Sequence, residues 1–228
     1  MGRHAVGAPG RPTRSRGYPA RREAGYRFER EAWRGGLRHV AGVDEAGRGP
    51  LAGPVVAGAV ILDPARPIRG LQDSKLLTPS QRAGLFPQIL DFSLAVGIGS
   101  VDPATIDRIN ILEATRRAML EAITNLAVAP DLVLIDAVRL VALPCAQKSV
   151  IKGDRRSASI AAASIVAKVT RDRLMIDYDR EFPDYGFARH KGYATAAHQA
   201  ALAQYGPCAL HRRSFHGVSL QGELFPGS

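Results

Sequence analysis

Cysteine is scarce in this chain, with Cys145 and Cys208 the only two in 228 residues. They lie far apart and show neither metal-knuckle nor redox spacing, so two free thiols in a reducing compartment are expected. Long apolar runs are missing too, which excludes a transmembrane helix. The first residues hold no apolar core of the kind that opens a secretory signal, so the expected location is the cytoplasm. Internal repeats are absent. Aromatic residues make up only 6%, so a core must come from Ala, Val, Ile and Leu. The hydrophobic share of 46% is enough for that core in one domain, with at most a small appendage.

Charge is present, but unevenly. The net value is +10, and residues 1–39 hold ten Arg against three Glu, leaving a mild excess of +3 for the body. Residues 1–37 are rich in Gly, Pro and Arg, have no sustained apolar period and interleave Tyr18, Tyr26, Phe28 and Trp33. That composition predicts a loosely structured basic arm suited to phosphate contact and base stacking.

From residue 39 the pattern becomes regular. Strands are predicted over 39–45, 53–62, 92–101 and 131–136, with a weaker one over 146–151. Thr78-Pro79 and Asp102-Pro103 read as caps and first turns of two helices. The segment 157–175 is apolar on nearly every face at first, which predicts a helix buried between layers. A last helix is predicted over 194–205, stopped by Gly206-Pro207. The expected fold class is therefore α/β, a mixed sheet flanked by helices. The chain would divide into the arm (1–37), a catalytic core (38–180), a helical region (181–217) and a flexible tail (218–228).

Four acids stand out by position. Asp44 and Glu45 end the first strand, Asp136 ends the fourth, and Asp154 comes just before the buried helix. Strand ends on one edge of an α/β sheet are where such folds place ligands. Carboxylates gathered there repel one another unless a cation neutralises them, and Mg²⁺ or Mn²⁺ prefers an all-oxygen set. Two such ions suit phosphodiester hydrolysis. Ser157 and Ser164 have no His-Asp partner pattern, which disfavours a serine nucleophile. His190, His211 and His216 lack zinc-like spacing and read as structural or phosphate-facing.

The strings GVDEAGRGPLAGPVVAGAVI, DSKLL, LIDA, KGD followed by SASIAAASIVAKVTRDRLM, and HKGY resemble those of bacterial ribonuclease HII, from about residue 39 to 217. The resemblance implies a ribonuclease H-like fold and an endonuclease that cuts the RNA strand of RNA–DNA hybrids. It would also incise DNA 5′ to embedded ribonucleotides, leaving 3′-hydroxyl and 5′-phosphate ends. Asp44, Glu45, Asp136 and Asp154 would bind two divalent ions, Mn²⁺ or Mg²⁺. Gly47, Arg48 and Gly49 would form the family's substrate loop, and Tyr193 its stacking tyrosine. In physical terms, glycines bring backbone close to a ribose 2′-hydroxyl, the group that separates RNA from DNA. Lys75, Lys152, Lys168 and Lys191 would touch the phosphate backbone. The sequence departs from the family after Asp136, where Ala137 stands in place of the usual glycine.

The tail string QGELF (221–225) resembles the motif by which bacterial replication proteins dock on a sliding clamp. The expected partners are thus RNA–DNA hybrids, DNA with embedded ribonucleotides and such a clamp. No membrane is expected, and the chain would act as a monomer. The rival readings are a ribonuclease HIII-like or junction nuclease of the same fold, and a non-catalytic hybrid-binding protein.

Overall fold

The computed structural model describes residues 23–136, 138–141 and 143–218. The clamp-like string at 221–225, the start of the basic arm with Tyr18, and Ala137 lie outside the described residues. Five strands form one mixed sheet in the order β3-β2-β1-β4-β5. β1 (Val40–Ala46) and β2 (Val55–Leu62) pair antiparallel, as do β2 and β3 (Ser93–Val101). β4 (Leu132–Ile135) runs parallel to β1, and β5 (Ala146–Ser149) runs parallel to β4. The expected mixed sheet is present.

The helices are α1 (Arg27–Arg34), α2 (Pro79–Phe92), α3 (Pro103–Thr124), α4 (Ala158–Glu181), α5 (Phe187–His190) and α6 (Ala196–Tyr205). Their starts follow the predicted cap chemistry. Thr78 Oγ1 accepts from the Gln81 amide while Gln81 Oε1 accepts from the Thr78 amide, a reciprocal capping box. Asp102 caps α3 by accepting from the Thr105 amide at 2.8 Å. One feature departs from the single α3 helix expected. Asn110 takes φ 65° and ψ 165°, and its Oδ1 accepts from the Leu112 and Glu113 amides, so the helix stops and is capped afresh.

α3 covers one face of the sheet, where Ala114, Ala118, Met119 and Ala122 meet Ala41, Val43, Ala57 and Ile61. α2 and α4 cover the other, where Phe86, Ile89, Ala162 and Ile165 meet Val60 and Leu62. α4 is the buried helix that its apolar composition demanded, and Ser157 caps it. The C-terminal helices enclose a small satellite core of Met175, Tyr185, Phe187, Ala201, Leu202 and Leu210.

The expectation of a loose arm through residue 37 is corrected for residues 23–37. α1 packs against the body, with Glu29 fully buried and Ala32 buried beside Val40. Glu29 Oε1 accepts from the hydroxyls of Ser157 and Ser159, both at 2.6 Å, and from the Ser159 amide at 2.9 Å. A carboxyl at a helix N-terminus satisfies amides that otherwise lack partners. Glu29→Ala should leave the Ser159 amide and one of the two mutually bonded serine hydroxyls without an acceptor and cost about 2–3 kcal/mol, read as a lowered urea midpoint with an unchanged m-value. An unchanged midpoint would show that α1 contributes nothing to the body's stability.

Candidate active site

Parallel pairing of β1 and β4 puts Val43 opposite Ile135, so Asp44 and Asp136 leave neighbouring strand ends in the same direction. Asp136 Oδ1 accepts from the Gly153 amide at 3.1 Å, which ties the strand end to the 3-10 turn Gly153–Arg155 carrying Asp154. Glu45 follows Asp44, and its Oε1 lies 3.4 Å from Arg48 Nη1. Asp44 and Asp154 are both buried.

The electrostatics show the crowding. Burial pushes the Asp44 carboxyl well above its usual pKa, and Glu45, Asp136 and Asp154 push it further against the opposing hydrogen bond from the Glu45 amide. Asp154 is raised to about 6 by burial, then by Asp73 and Asp136, with Lys75 and Arg155 opposing. Among the described residues no three Asp, Glu, His or Cys side chains are gathered closely enough to hold a metal ion as they stand. The donors are all oxygen and the shared strain is anionic, which fits a hard divalent cation.

Beside the acids lies a cleft of about 300 Å³, lined by Glu45, the Gly47-Arg48-Gly49 loop, Ser74, Lys75, Lys168 and Tyr193. Tyr193 is 43% exposed and Lys168 Nζ lies 6.0 Å from its ring centroid, so an aromatic face and two ammonium groups share the opening. The two glycines of the loop differ in what they permit. A Cβ on Gly47, at φ +95°, would meet Arg171 Nε at 2.1 Å, whereas one on Gly49 would meet nothing within 4 Å. Gly47 is demanded by the fold. Gly49 leaves open space at the mouth of the cleft.

The lysines divide. Lys75 and Lys168 reach the cleft, but Lys191 Nζ turns back to the Ala188 carbonyl and Lys152 sits exposed in a left-handed conformation (φ 55°). The histidines form a chain that their spacing concealed. The Cys208 amide donates to His211 Nδ1 at 3.0 Å, which leaves the neutral ring's proton on Nε2. His211 Nε2 then donates to His198 Nε2 at 3.0 Å, and His198 Nδ1 donates to the Tyr193 carbonyl at 2.9 Å. His190 stacks on His198 at 4.4 Å, while His216 stays outside this group.

Burial holds both relay histidines below their ordinary pKa, His211 at about 4. A base with a depressed folded pKa stabilises the fold fully above its unfolded value near 6.5, and loses that contribution as pH falls toward 4. Over that window the wild-type melting temperature should therefore fall by several degrees relative to that of His211→Asn, a difference that leaves out the carboxyls common to both proteins. Parallel curves for the two proteins would sink the assignment.

Residues 41–218 match the family model described as Ribonuclease HII. The chain belongs to the ribonuclease HII family. It is 58% identical over 191 residues to the ribonuclease HII of Geobacter metallireducens, covering 84% of this chain and 90% of that one. It superposes on the ribonuclease H2 of Pyrococcus horikoshii with a TM-score of 0.69 and 28% identity, covering 78% of this chain and 94% of that one. The ribonuclease HII of Archaeoglobus fulgidus, solved in complex with PCNA, gives 0.64 and 26%, with 78% of this chain and 95% of that one covered.

Membership of this family makes the chain a metal-dependent endoribonuclease of RNA–DNA hybrids and answers the rival readings of a related nuclease or a passive binder. The described residues contain no helix long and apolar enough to cross a membrane. Sequence reasoning missed Asp73, which is 2% exposed, accepts from the Lys75 amide at 2.9 Å and pairs with Arg155 at 3.2 Å. It stands between Lys75 and the Asp154 turn, and its place in the DSKLL string was the available signal.

Proposed function

We propose that Asp44, Glu45, Asp136 and Asp154 hold two divalent ions, Mn²⁺ or Mg²⁺, and that the chain incises duplex DNA 5′ to an embedded ribonucleotide as well as cutting hybrids. The observation that carries this reading is the crowding of four carboxyls at one sheet edge beside the cleft of Gly47, Arg48, Gly49 and Tyr193. Bound metal would supply an activated water and charge neutralisation at the scissile phosphate. The protein's own residues position the substrate. Arg48, Lys75 and Lys168 take phosphates, and the Arg48 and Gly49 amides read the 2′-hydroxyl across the space that Gly49 leaves open. Tyr193 stacks on the next sugar, where a deoxyribose fits. Asp136 keeps the Asp154 turn in register through Gly153.

The reading extends to a monomer acting in the cytoplasm and docking on a sliding clamp through 221–225. The PCNA complex of the Archaeoglobus relative supports a clamp partner. The decisive experiment uses a DNA duplex with one ribonucleotide. Purified protein with Mn²⁺ or Mg²⁺ should nick it once, at the phosphate 5′ to the ribose, and EDTA should stop the reaction. An intact duplex, or nicking at a different phosphate, would refute the reading.

A further inference from the structure

Two arginines outside the proposed chemistry are wholly buried. Arg171 of α4 and Arg212, in the segment after α6, are each 0% exposed. Among the described residues neither forms an ion pair with a carboxylate, and every hydrogen-bond partner of the two guanidinium groups is a main-chain carbonyl, with Phe215 stacked 5.0 Å from the Arg212 guanidinium. Burying a charge is costly unless its hydrogen-bonding capacity is met. Arg212 Nη2 donates to the carbonyls of Gly47 at 2.6 Å and Gly53 at 2.8 Å, Nη1 to Arg48 at 3.0 Å, and Nε to Gly53 at 3.0 Å. Arg171 Nε donates to Pro54 at 2.9 Å, Nη2 to Ala52 at 3.1 Å and Nη1 to Lys191 at 3.0 Å. Together they hold both ends of the loop from Gly47 to Pro54, at the carbonyls of Gly47, Arg48, Ala52, Gly53 and Pro54.

The peptide unit converts this into a statement about the cleft. A trans peptide points its carbonyl and its amide in opposite directions. With the Gly47 and Arg48 carbonyls turned inward onto Arg212, the Arg48 and Gly49 amides face outward. Among the described residues neither amide donates to a protein acceptor. Arg171 also joins this loop to Lys191, and the Leu51 amide donates to the Gly192 carbonyl at 2.8 Å, so Tyr193 is referenced to the same clamp. Arg212 is itself braced. Asp107 on α3 accepts from the Arg213 amide at 2.9 Å, the Ser214 amide at 3.0 Å and the Ser214 hydroxyl at 2.6 Å.

We propose that Arg171 and Arg212 are positioning residues for sugar selection, which aim the Arg48 and Gly49 amides into the cleft and set their distance from Tyr193. The proposal rests on the reading that this loop senses the ribose. It explains why an arginine is needed at each position: only a planar fork reaches carbonyls on several residues at once, and a lysine ammonium cannot.

The test compares the KM for a duplex carrying one ribonucleotide with the Ki of the same all-deoxy duplex used as a competitor. Phosphate contacts contribute to both constants, and sugar reading contributes only to the first. In Arg212→Lys the KM should rise about tenfold while the Ki stays within about twofold, the loss expected from one or two misaimed hydrogen bonds. A merely structural role would reduce the active fraction, lowering Vmax and moving neither constant, and that result overturns the proposal. Wild-type protein with KM equal to Ki would instead refute the reading of the loop on which the proposal rests. If Arg212→Lys does not fold, Asp107→Ala loosens the segment from outside and should raise KM about threefold. An unchanged KM there also overturns the clamp.

Discussion

Asp44→Asn is expected to abolish cleavage while leaving the protein at least as stable as the wild type in metal-free buffer. The two halves have one cause. Asp44 is the most crowded carboxyl of the site, raised by burial and by Glu45, Asp136 and Asp154. A carboxyl whose folded pKa lies above its unfolded value destabilises the fold once pH rises past the unfolded value, because ionisation then opposes folding. Asparagine keeps an oxygen for the Glu45 amide, which now donates to Asp44 Oδ1 at 2.8 Å, and removes the charge. At neutral pH the variant's melting temperature should equal or exceed the wild type's, and the difference should vanish in acid, near pH 4. Cleavage should fall by about three orders of magnitude or more, roughly 4 kcal/mol of barrier, if Asp44 is the hard-cation ligand proposed above. Adding Mn²⁺ should raise the wild-type midpoint more than the variant's. Single-turnover nicking and thermal melts with and without Mn²⁺ measure both halves. A variant retaining a tenth of the activity would remove Asp44 from the metal site, and one melting well below wild type would contradict the electrostatic account.

What the sequence disclosed depended on how local the cause was. The strand-end acids were legible because Asp44 and Asp136 each follow a contiguous apolar run, whereas the parallel pairing of β1 with β4 that brings them together is a property of the fold. The caps at Thr78 and Asp102 were legible for the same reason: the partner lies three residues away. The burial of α1 was not. It hangs on one carboxyl meeting Ser157 and Ser159, 128 and 130 residues along the chain, and composition alone made that segment look loose. The relay of His211, His198 and Tyr193 and the two buried arginines escaped for the same reason. Their partners are largely main-chain groups that any residue could supply, so no side-chain pattern marks them. Asp73 lies between these cases: it was visible within a diagnostic string, but its proximity to Asp154 is a property of the fold.

Gly42→Ala should be among the most damaging single methyls in the core, and it links the fold to the site. A Cβ at Gly42 would lie 2.1 Å from the Ser159 carbonyl carbon, 2.2 Å from the Ile160 nitrogen and 2.4 Å from the Ser159 oxygen. These are backbone atoms in the first turn of α4, so no side chain can swing aside. The turn is also held from two other sides, by Glu29 on Ser157 and Ser159 and by Asp136 on Gly153. Either β1 or α4 must move, at a cost on the order of 4 kcal/mol or more, equivalent to roughly 10 °C in melting temperature for a domain of this size. Because Asp44 is two residues beyond Gly42 and Asp154 precedes α4, the same movement draws two of the four acids apart. Nicking should then be depressed even well below the variant's melting midpoint, with added Mn²⁺ failing to restore it. Gly49→Ala is the matched control, since its methyl meets nothing in the protein. Its melting curve should overlay the wild type's while its KM for a ribonucleotide-containing duplex rises. If Gly42→Ala melts within a degree or two of wild type, α4 is not seated against β1 as closely as this architecture requires. The acids would then owe their proximity to some other constraint.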